Sequence, residues 1–408
     1  MGRQEYDDWG FMGEVQKEQR LKSEAKRARQ TNASKNAFVF LCSVCILALS
    51  GLVAVYSASF PVAVNNGLNH YYYLINQMVY LGIGLLLAIF VNVLPESGIK
   101  VLCPICLLSS IVLLGVDLFF GKSLVSSVDT IGFVFVSCVM YMSLFFSNRD
   151  NRIQSLKQLI VPTIGALFVL VLLLLKKSFS YAVYFLGLNA VMFVVGGLGI
   201  TGIIILVLYL LVPSLVIIFS KSDILLSVAR FLFPGAESTA RSAQVATIKE
   251  AISSGSWFGK GLGMGEYKID KIEDLAGRCI FANICEEIGF VGIFTIFVVF
   301  LVLAFTGYRV AKLTRKQNGF VSNLALGCTT IVIWQMIANI LWVLGILPGD
   351  GLSMPFFSYG MEIIPIMLAC GLIYKSSKCK PSTLAADDSL ENLSNELKYP
   401  EQYEFEKI

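Results

Sequence analysis

The sequence contains few charged residues. Asp, Glu, Lys and Arg make up 15% of the 408 residues, while a soluble domain carries about 25%. Hydrophobic residues account for 56% of the chain. This composition excludes an ordinary soluble domain and indicates a protein that has the lipid bilayer as its solvent.

Histidine is almost absent, since His70 is the only one and lies beside three tyrosines at an expected membrane-interface position. A single histidine provides no partner set for a metal site. The 10 cysteines fall mostly within apolar runs, where a thiol behaves as a small hydrophobe, and the spacing Cys103 to Cys106 is attributed to packing. The basic residues form no patch of the size that nucleic acid needs, so no nucleic-acid partner is expected.

Apolar runs recur along almost the whole chain. A helix needs about 20 apolar residues to cross a bilayer core about 30 Å thick. We therefore predict an all-α, polytopic membrane helix bundle of about ten transmembrane helices. The predicted spans are Ala37–Ser57, Tyr71–Leu94, Val101–Phe120, Ile131–Phe146, Leu159–Leu175, Tyr181–Gly199, Thr201–Phe219, Cys279–Phe305, Val321–Leu344 and Tyr359–Ile373.

Lys and Arg predict the orientation of these spans. They are frequent in residues 1–36 and missing from the first loop, Phe60 to Tyr71, so the amino terminus is predicted to be cytoplasmic. No cleavable signal peptide is visible, and the first span is expected to serve as its own signal anchor. An even number of spans places both termini inside and the long connection between spans 7 and 8, about 221–277, outside.

These features predict three regions. They are a basic cytoplasmic segment over 1–36, a membrane domain over 37–378 and an acidic, disordered cytoplasmic tail over 379–408.

Three stretches of the sequence stand out, one at the end of the first predicted span and two in the predicted outer loops. They are Gly51 to Ser59 followed by Gln77, Ser253 to Gly263 preceded by Gln244, and Leu347 to Gly360 preceded by Gln335 and Asn339. In combination they resemble the SEDS family of bacterial cell-wall proteins, which includes FtsW, RodA and SpoVE. The resemblance extends from about Val39 to Lys378.

The resemblance implies a peptidoglycan glycosyltransferase of cell division or elongation. Such a protein polymerises the lipid-linked precursor lipid II in the bacterial inner (cytoplasmic) membrane, beside a class B penicillin-binding transpeptidase. No resident cofactor is implied, and a role for a divalent cation stays open. The substrate-binding residues implied by the match are Gln244, Lys260, Gly261, Gly263, Glu286, Glu287, Gln335, Asn339, Pro355 and Ser358.

Physical reasoning leaves alternatives open for the charged members of this set. Ionisable groups within an apolar helix are functional suspects, so Glu286 and Glu287 are either substrate-site residues or a buried, hydrogen-bonded pair near the helix amino terminus. Lys260 and Lys268, like Arg241 and Lys249, are either donors to a pyrophosphate or solvated loop charges.

One position departs from the family pattern. Where the family has an Asp that acts as general base, the alignment places Arg278, and a guanidinium cannot accept a proton at working pH. Asp274 is the candidate replacement base, and Asp270 and Glu273 lie in the same loop. We also expect the loop Gly255 to Gly263 and the loop Pro348 to Tyr359 to face each other across one outward cavity.

The sequence leaves two other functions open. The lost acid favours a non-catalytic scaffold that regulates the cell-wall synthesis complex. A flippase for the same precursor is less favoured, because transporters usually contain internal repeats and broken helices, and no repeat is evident.

Overall fold

The structure is a computed structural model. It describes residues 35–120, 130–146, 156–176, 179–195, 207, 209, 211, 240–268, 272, 274–315, 318–347 and 350–378. The predicted cytoplasmic tail, nearly all of the amino-terminal segment, Asp270, Glu273 and most of the predicted seventh span lie outside these residues. Across the described parts of the chain the secondary structure consists of helices and turns, without strands.

The described helices are numbered α1 to α10 in chain order. Their bounds are α1 Lys35–Asn65, α2 Tyr72–Val93, α3 Glu96–Phe120, α4 Thr130–Phe145, α5 Leu156–Leu175, α6 Phe179–Val195, α7 Ala240–Ser254, α8 Ile280–Thr314, α9 Gly319–Val343 and α10 Ile363–Ser377. Helices α1, α2, α3, α8 and α9 are long and apolar enough to cross a membrane, and α4, α5, α6 and α10 are shorter apolar helices. The prediction of an all-α, multi-pass bundle is therefore confirmed.

Several predicted span boundaries are wrong. Helix α1 continues to Asn65 through residues that are still mostly apolar. Helix α8 continues to Thr314, where Arg309, Ala311, Lys312 and Leu313 have good helix propensity. Helix α10 begins at Ile363 rather than at Tyr359. Gly360, with φ of 140°, has a conformation that a right-handed helix does not allow.

Close packing between α2 and α10 depends on small residues. Gly84 of α2 lies against the side chain of Met367, and Gly371 of α10 lies against Ala88. The Asn92 amide also donates a hydrogen bond of 3.2 Å to the Gly371 carbonyl. Small residues let two helix backbones approach closely within a bilayer. This pairing fixes α2 beside the last helix and sets the position of the loop that precedes α10.

The predicted orientation can be tested with Ser253→Cys, because Ser253 is exposed at the end of α7. A membrane-impermeant maleimide added to intact spheroplasts is expected to label this variant, since α7 belongs to the connection that is predicted to lie outside. The matched control is Lys378→Cys, beyond the end of α10 that is predicted to be cytoplasmic, which should label only after permeabilisation. Labelling of Ser253→Cys only after permeabilisation would reverse the orientation.

Candidate functional site

The three family-like stretches converge around α1. Gly51 packs so closely on the last outer loop, residues 347–360, that a Cβ at this position would overlap the Phe356 carbonyl. One and a half turns further on, the Ser57 hydroxyl accepts a hydrogen bond of 3.1 Å from the Gly263 amide. Helix α1 thus contacts the last outer loop at one point and the glycine loop, residues 255–263, at another.

Helix α8 is broken at Gly289, which has φ of 64° and ψ of −169°. This region of the backbone map is accessible essentially only to glycine. The helix that contains the predicted eighth span, Cys279–Phe305, is therefore interrupted at this residue. Residues 280–288 form a short, largely buried helical segment, and the long remainder of α8 follows the break. A lone glycine in an apolar helix gave no local sign of this kink, because single glycines are tolerated in helices.

The glycine loop satisfies the backbone groups that the break leaves unpaired. The amides of Phe290 and Val291 donate to the carbonyls of Ser256 and Trp257, at 3.0 and 3.1 Å. In the other direction, the loop amides of residues 260 and 261 donate to the carbonyls of residues 286 and 287, at 3.0 and 2.9 Å. Unpaired backbone groups cost several kcal/mol in lipid, so this pairing stabilises the kink.

Glycine is required at the contact between the loop and the kink. A Cβ on Gly259 would overlap the Glu287 carbonyl, and a Cβ on Gly289 would overlap the Gly259 amide nitrogen. Gly259 also has φ of 76°. The two glycines face each other, and the backbones touch where any side chain would separate them.

Glu287 lies at the centre of a buried ion pair with Lys268. The Ser57 hydroxyl lies 2.6 and 2.7 Å from the two oxygens of this carboxylate. Lys268 Nζ in turn donates to the Ser57 carbonyl at 3.0 Å and to Ser57 Oγ at 2.8 Å. Lys268 is only 5% exposed, so its interpretation as a solvated loop charge is wrong. Its ammonium group joins the outer connection to α1 and α8.

Glu286 is buried on the opposite side of the same turn. Its carboxylate accepts hydrogen bonds from the Glu266 amide at 2.7 Å and from Lys260 Nζ at 3.1 Å. Desolvation opposes the charge on Lys260, but the bonds to Glu286 and Glu266 outweigh it and raise the pKa of Lys260 above its usual value. Lys260 therefore stays protonated and holds the end of the glycine loop on α8.

A second charged cluster surrounds Arg278, in the turn before α8. Its Nε donates to Asp274 Oδ2 at 2.8 Å, and its Nη1 lies 3.6 Å from Asp350 of the last outer loop. The guanidinium also lies over the Trp342 ring, at 5.7 Å from the centroid. Partial burial opposes the charge, but Asp274 and then Asp350 raise the pKa of Arg278 further. Arg278 is a permanent cation that pairs with both nearby carboxylates.

The other predicted site residues mainly fix the last outer loop. The Asn339 amide donates to the carbonyls of Arg278 and Leu352, at 2.8 and 2.6 Å. The Ser358 hydroxyl donates to the Gly277 carbonyl at 2.9 Å. Gln77 of α2 accepts from the Gly360 amide at 3.0 Å. These bonds set the position of the loop relative to Arg278.

The remaining candidates lie apart from the charged clusters. Pro355 is buried within the last outer loop. Gln244 of α7 lies 3.9 Å from Cys279 Sγ, immediately before α8. Gln335 of α9 is buried, and its Oε1 has no hydrogen-bond partner among the described residues; the same holds for both side-chain atoms of Asn283. In the described parts of the chain no group of three or more metal-ligating side chains occurs.

The glycine loop lines one cavity without the described residues of the last outer loop, and a cavity shared by the two loops stays a prediction. A cavity of about 300 Å³ lies between residues 262–263 of the loop and the outer end of α1, and the described residues of the last outer loop do not line it. Helix α1 contacts both loops, the last outer loop through Gly51 and the glycine loop through Ser57.

Comparison with known proteins agrees with this arrangement. The model of the cell cycle protein family of FtsW, RodA and SpoVE matches residues 37–380. Stage V sporulation protein E of Bacillus subtilis is 26% identical over 347 residues, 82% of this chain and 94% of that protein. A probable peptidoglycan glycosyltransferase FtsW of Borreliella burgdorferi is 29% identical over 245 residues, 60% of this chain and 67% of the relative.

Solved structures show the same fold. A chain described under "Structural coordination of polymerization and crosslinking by a peptidoglycan synthase complex" superposes with a TM-score of 0.62 at 22% identity, over 83% of this chain and 96% of that chain. The rod shape determining protein RodA of Thermus thermophilus superposes with a TM-score of 0.58 at 19% identity, over 83% and 95%. The protein belongs to the FtsW, RodA and SpoVE family of cell cycle proteins.

Proposed function

We propose that this protein acts in bacterial peptidoglycan synthesis, as a lipid II glycan polymerase whose catalytic position is altered. It would work at the outer face of the inner membrane, beside a class B penicillin-binding protein. Support for the substrate and the reaction comes from the relatives named as peptidoglycan glycosyltransferases. Support for a partner comes from the fold shared with a chain of a peptidoglycan synthase complex.

The architecture suits a substrate with a polyprenyl tail and a polar glycan head. Nine apolar helices among the described residues provide surfaces for a lipid tail, and the three family-like stretches meet at one end of the bundle. A protein that handles such a molecule needs an apolar wall and a structured polar edge next to each other. The glycine loop and the last outer loop are both held there by backbone hydrogen bonds.

The observation on which the altered activity depends is the pairing of Arg278 with Asp274 and Asp350. A general base must accept a proton from the acceptor hydroxyl, which the guanidinium cannot do. Asp274, our candidate replacement, shares its charge with Arg278 through a hydrogen bond of 2.8 Å. The Oδ2 atom of the candidate base is therefore already engaged by the guanidinium.

We therefore expect the wild-type protein to polymerise lipid II slowly. Its rate should be about 10²- to 10⁴-fold lower than that of a relative with an acid at this position, because one general base usually contributes that factor. The measurement is glycan-chain formation from purified lipid II with the cognate penicillin-binding protein. Arg278→Asp together with Asp350→Asn is expected to increase the rate, because the double variant introduces one carboxylate and removes one of the two neighbouring carboxylates that would repel it.

The matched control is Lys249→Gln, which makes the same net change of charge, minus one, at an exposed position of α7. It should leave the rate unchanged. Asp274→Asn should abolish residual wild-type activity if Asp274 has assumed the role of base. Rapid polymerisation by the wild type that is insensitive to Asp274→Asn would contradict the altered site.

A non-catalytic scaffold is the second candidate, and the Arg278 cluster favours it. The guanidinium ties the turn before α8 to the last outer loop, so the position serves to join two segments. A scaffold would bind the penicillin-binding protein and leave lipid II unpolymerised in every variant above. Co-purification of the partner together with inactivity of the Arg278→Asp and Asp350→Asn double variant would select this function.

A further inference from the structure

The cavity at the outer end of α1 is not used by the proposed chemistry. Its walls include Val53, Tyr56, Phe60 and Pro61 of α1 and Leu262 of the glycine loop. At about 300 Å³ it lies at the lower end of the range for ligand pockets. It is lined almost wholly by apolar atoms, apart from its inner end at Ser57 and Lys268.

The polar groups at this inner end are already satisfied. Lys268 Nζ bonds to Glu287, to the Ser57 carbonyl and to Ser57 Oγ, which uses its three protons. Ser57 Oγ also accepts from the Gly263 amide. These bonds leave Lys268 and Ser57 no free donor for an anionic group, and apart from the Tyr56 hydroxyl the other walls are apolar, so the chemistry of the cavity favours an uncharged, hydrocarbon part of a ligand.

The mouth of the cavity opens toward the lipid. Val53, Phe60 and Leu262 line the cavity, and each is also substantially exposed on the outside of the protein. Met264, directly after the loop, is also exposed. Ser57 follows Lys35 by about 33 Å of helix at 1.5 Å per residue, which is close to the thickness of a bilayer core. The cavity is thus reached from the outer leaflet.

We infer that this cavity binds a segment of the prenyl tail of the polyprenyl-linked substrate. The inference rests on the proposed function, because that function requires such a substrate to be held in the outer leaflet beside the glycine loop. With the tail between α1 and Leu262, the pyrophosphate and the sugars extend outward past the loop. The buried Lys268 and Glu287 pair then acts as the closed floor of the tail site and not as a phosphate ligand.

The test is photolabelling of the full-length protein in phospholipid nanodiscs by a diazirine analogue of a polyprenyl phosphate. Peptides that contain Val53 to Pro61 and Leu262 are expected to be labelled, and excess unlabelled polyprenyl phosphate should remove the signal. Val53→Trp should lower the labelling about tenfold by filling the cavity. Leu262→Trp, at the opposite wall, provides a second variant, and a thermal melt shows whether each has folded.

The matched control is Leu301→Trp, which adds the same side chain at a lipid-facing position of α8 that is 67% exposed. It should leave the labelling unchanged. A parallel arm uses the same diazirine on a phospholipid acyl chain. Equal labelling by that probe without competition from polyprenyl phosphate, or no labelling by either probe, would overturn the inference.

This experiment requires no polymerisation, so it separates the inference from the proposed function. If the protein binds the prenyl probe in this cavity but makes no glycan, the tail site is supported and the proposed polymerase activity is wrong. If the protein makes glycan but the prenyl probe never labels this cavity, the tail site is wrong and the proposed polymerase activity stands.

Discussion

Lys268→Met is expected to destabilise the protein by about 3–5 kcal/mol, the usual cost of removing one partner from a buried ion pair. Glu287 is 2% exposed, and the substitution removes its ion-pair partner while leaving the hydrogen bond from the Ser57 hydroxyl. The measurement is the midpoint of SDS- or urea-induced unfolding of the purified protein in mixed micelles. Few single substitutions have so large an effect.

Two further variants serve as controls for this prediction. Lys249→Met removes a positive charge from an exposed position of α7 and should change the unfolding midpoint little. Lys268→Met combined with Glu287→Gln should recover most of the lost stability, since the double variant leaves no unpaired charge inside the protein. A single variant as stable as Lys249→Met would show that the buried pair contributes nothing.

Gly259→Ala and Gly289→Ala are expected to displace the glycine loop from α8, because each Cβ would overlap backbone atoms of the other segment. Both residues also have positive φ, which costs an alanine about 1–2 kcal/mol before any overlap is counted. The direct measurement is amide hydrogen exchange at Phe290 and Val291, whose N–H groups bond to the loop. Their protection should fall strongly in both variants.

Two other glycines separate the conformational cost of a positive φ from the cost of steric overlap. Gly263 has φ of 85°, but no atom lies within 4 Å of the place that a Cβ would occupy, so Gly263→Ala should show the conformational cost alone. Gly115 in α3 has open space and an ordinary helical conformation, and Gly115→Ala should be neutral or slightly stabilising. Equal effects at residues 259 and 263 would show that close approach of the two backbones is unimportant.

The charged site illustrates the reach of sequence reasoning. Glu286 and Glu287 were recognisable as candidates because carboxylates inside an apolar run are costly and need an explanation. Their partners were not recognisable, since Lys260 and Lys268 look the same as any basic residue of a polar loop. The structure favours the interpretation of Glu286 and Glu287 as buried, paired groups. Each forms an ion pair with a lysine of the long connection between α6 and α8.

Arg278 shows a different limit of prediction from sequence. Alignment placed a cation at the position of the family acid, and general chemistry excluded it as a base. Whether Arg278 also pairs with the last outer loop depended on its distance of 3.6 Å from Asp350, which lies far along the chain. That distance is set by the hydrogen bonds of Asn339 and Ser358, and neither bond follows from the local pattern around Arg278.

The sequence by itself determined the class of the fold, the approximate positions of most spans and the three stretches that identify the family. It could do so because a bilayer imposes long apolar helices, and because Gly, Pro and amide clusters have local signatures. Only the tertiary structure decided the break at Gly289, the burial of Lys268, the pairing of Arg278 and the cavity beside α1. Each of these depends on contacts between segments far apart in sequence, such as Ser57 with Glu287 at a separation of 230 residues, and no local pattern encodes such a distance.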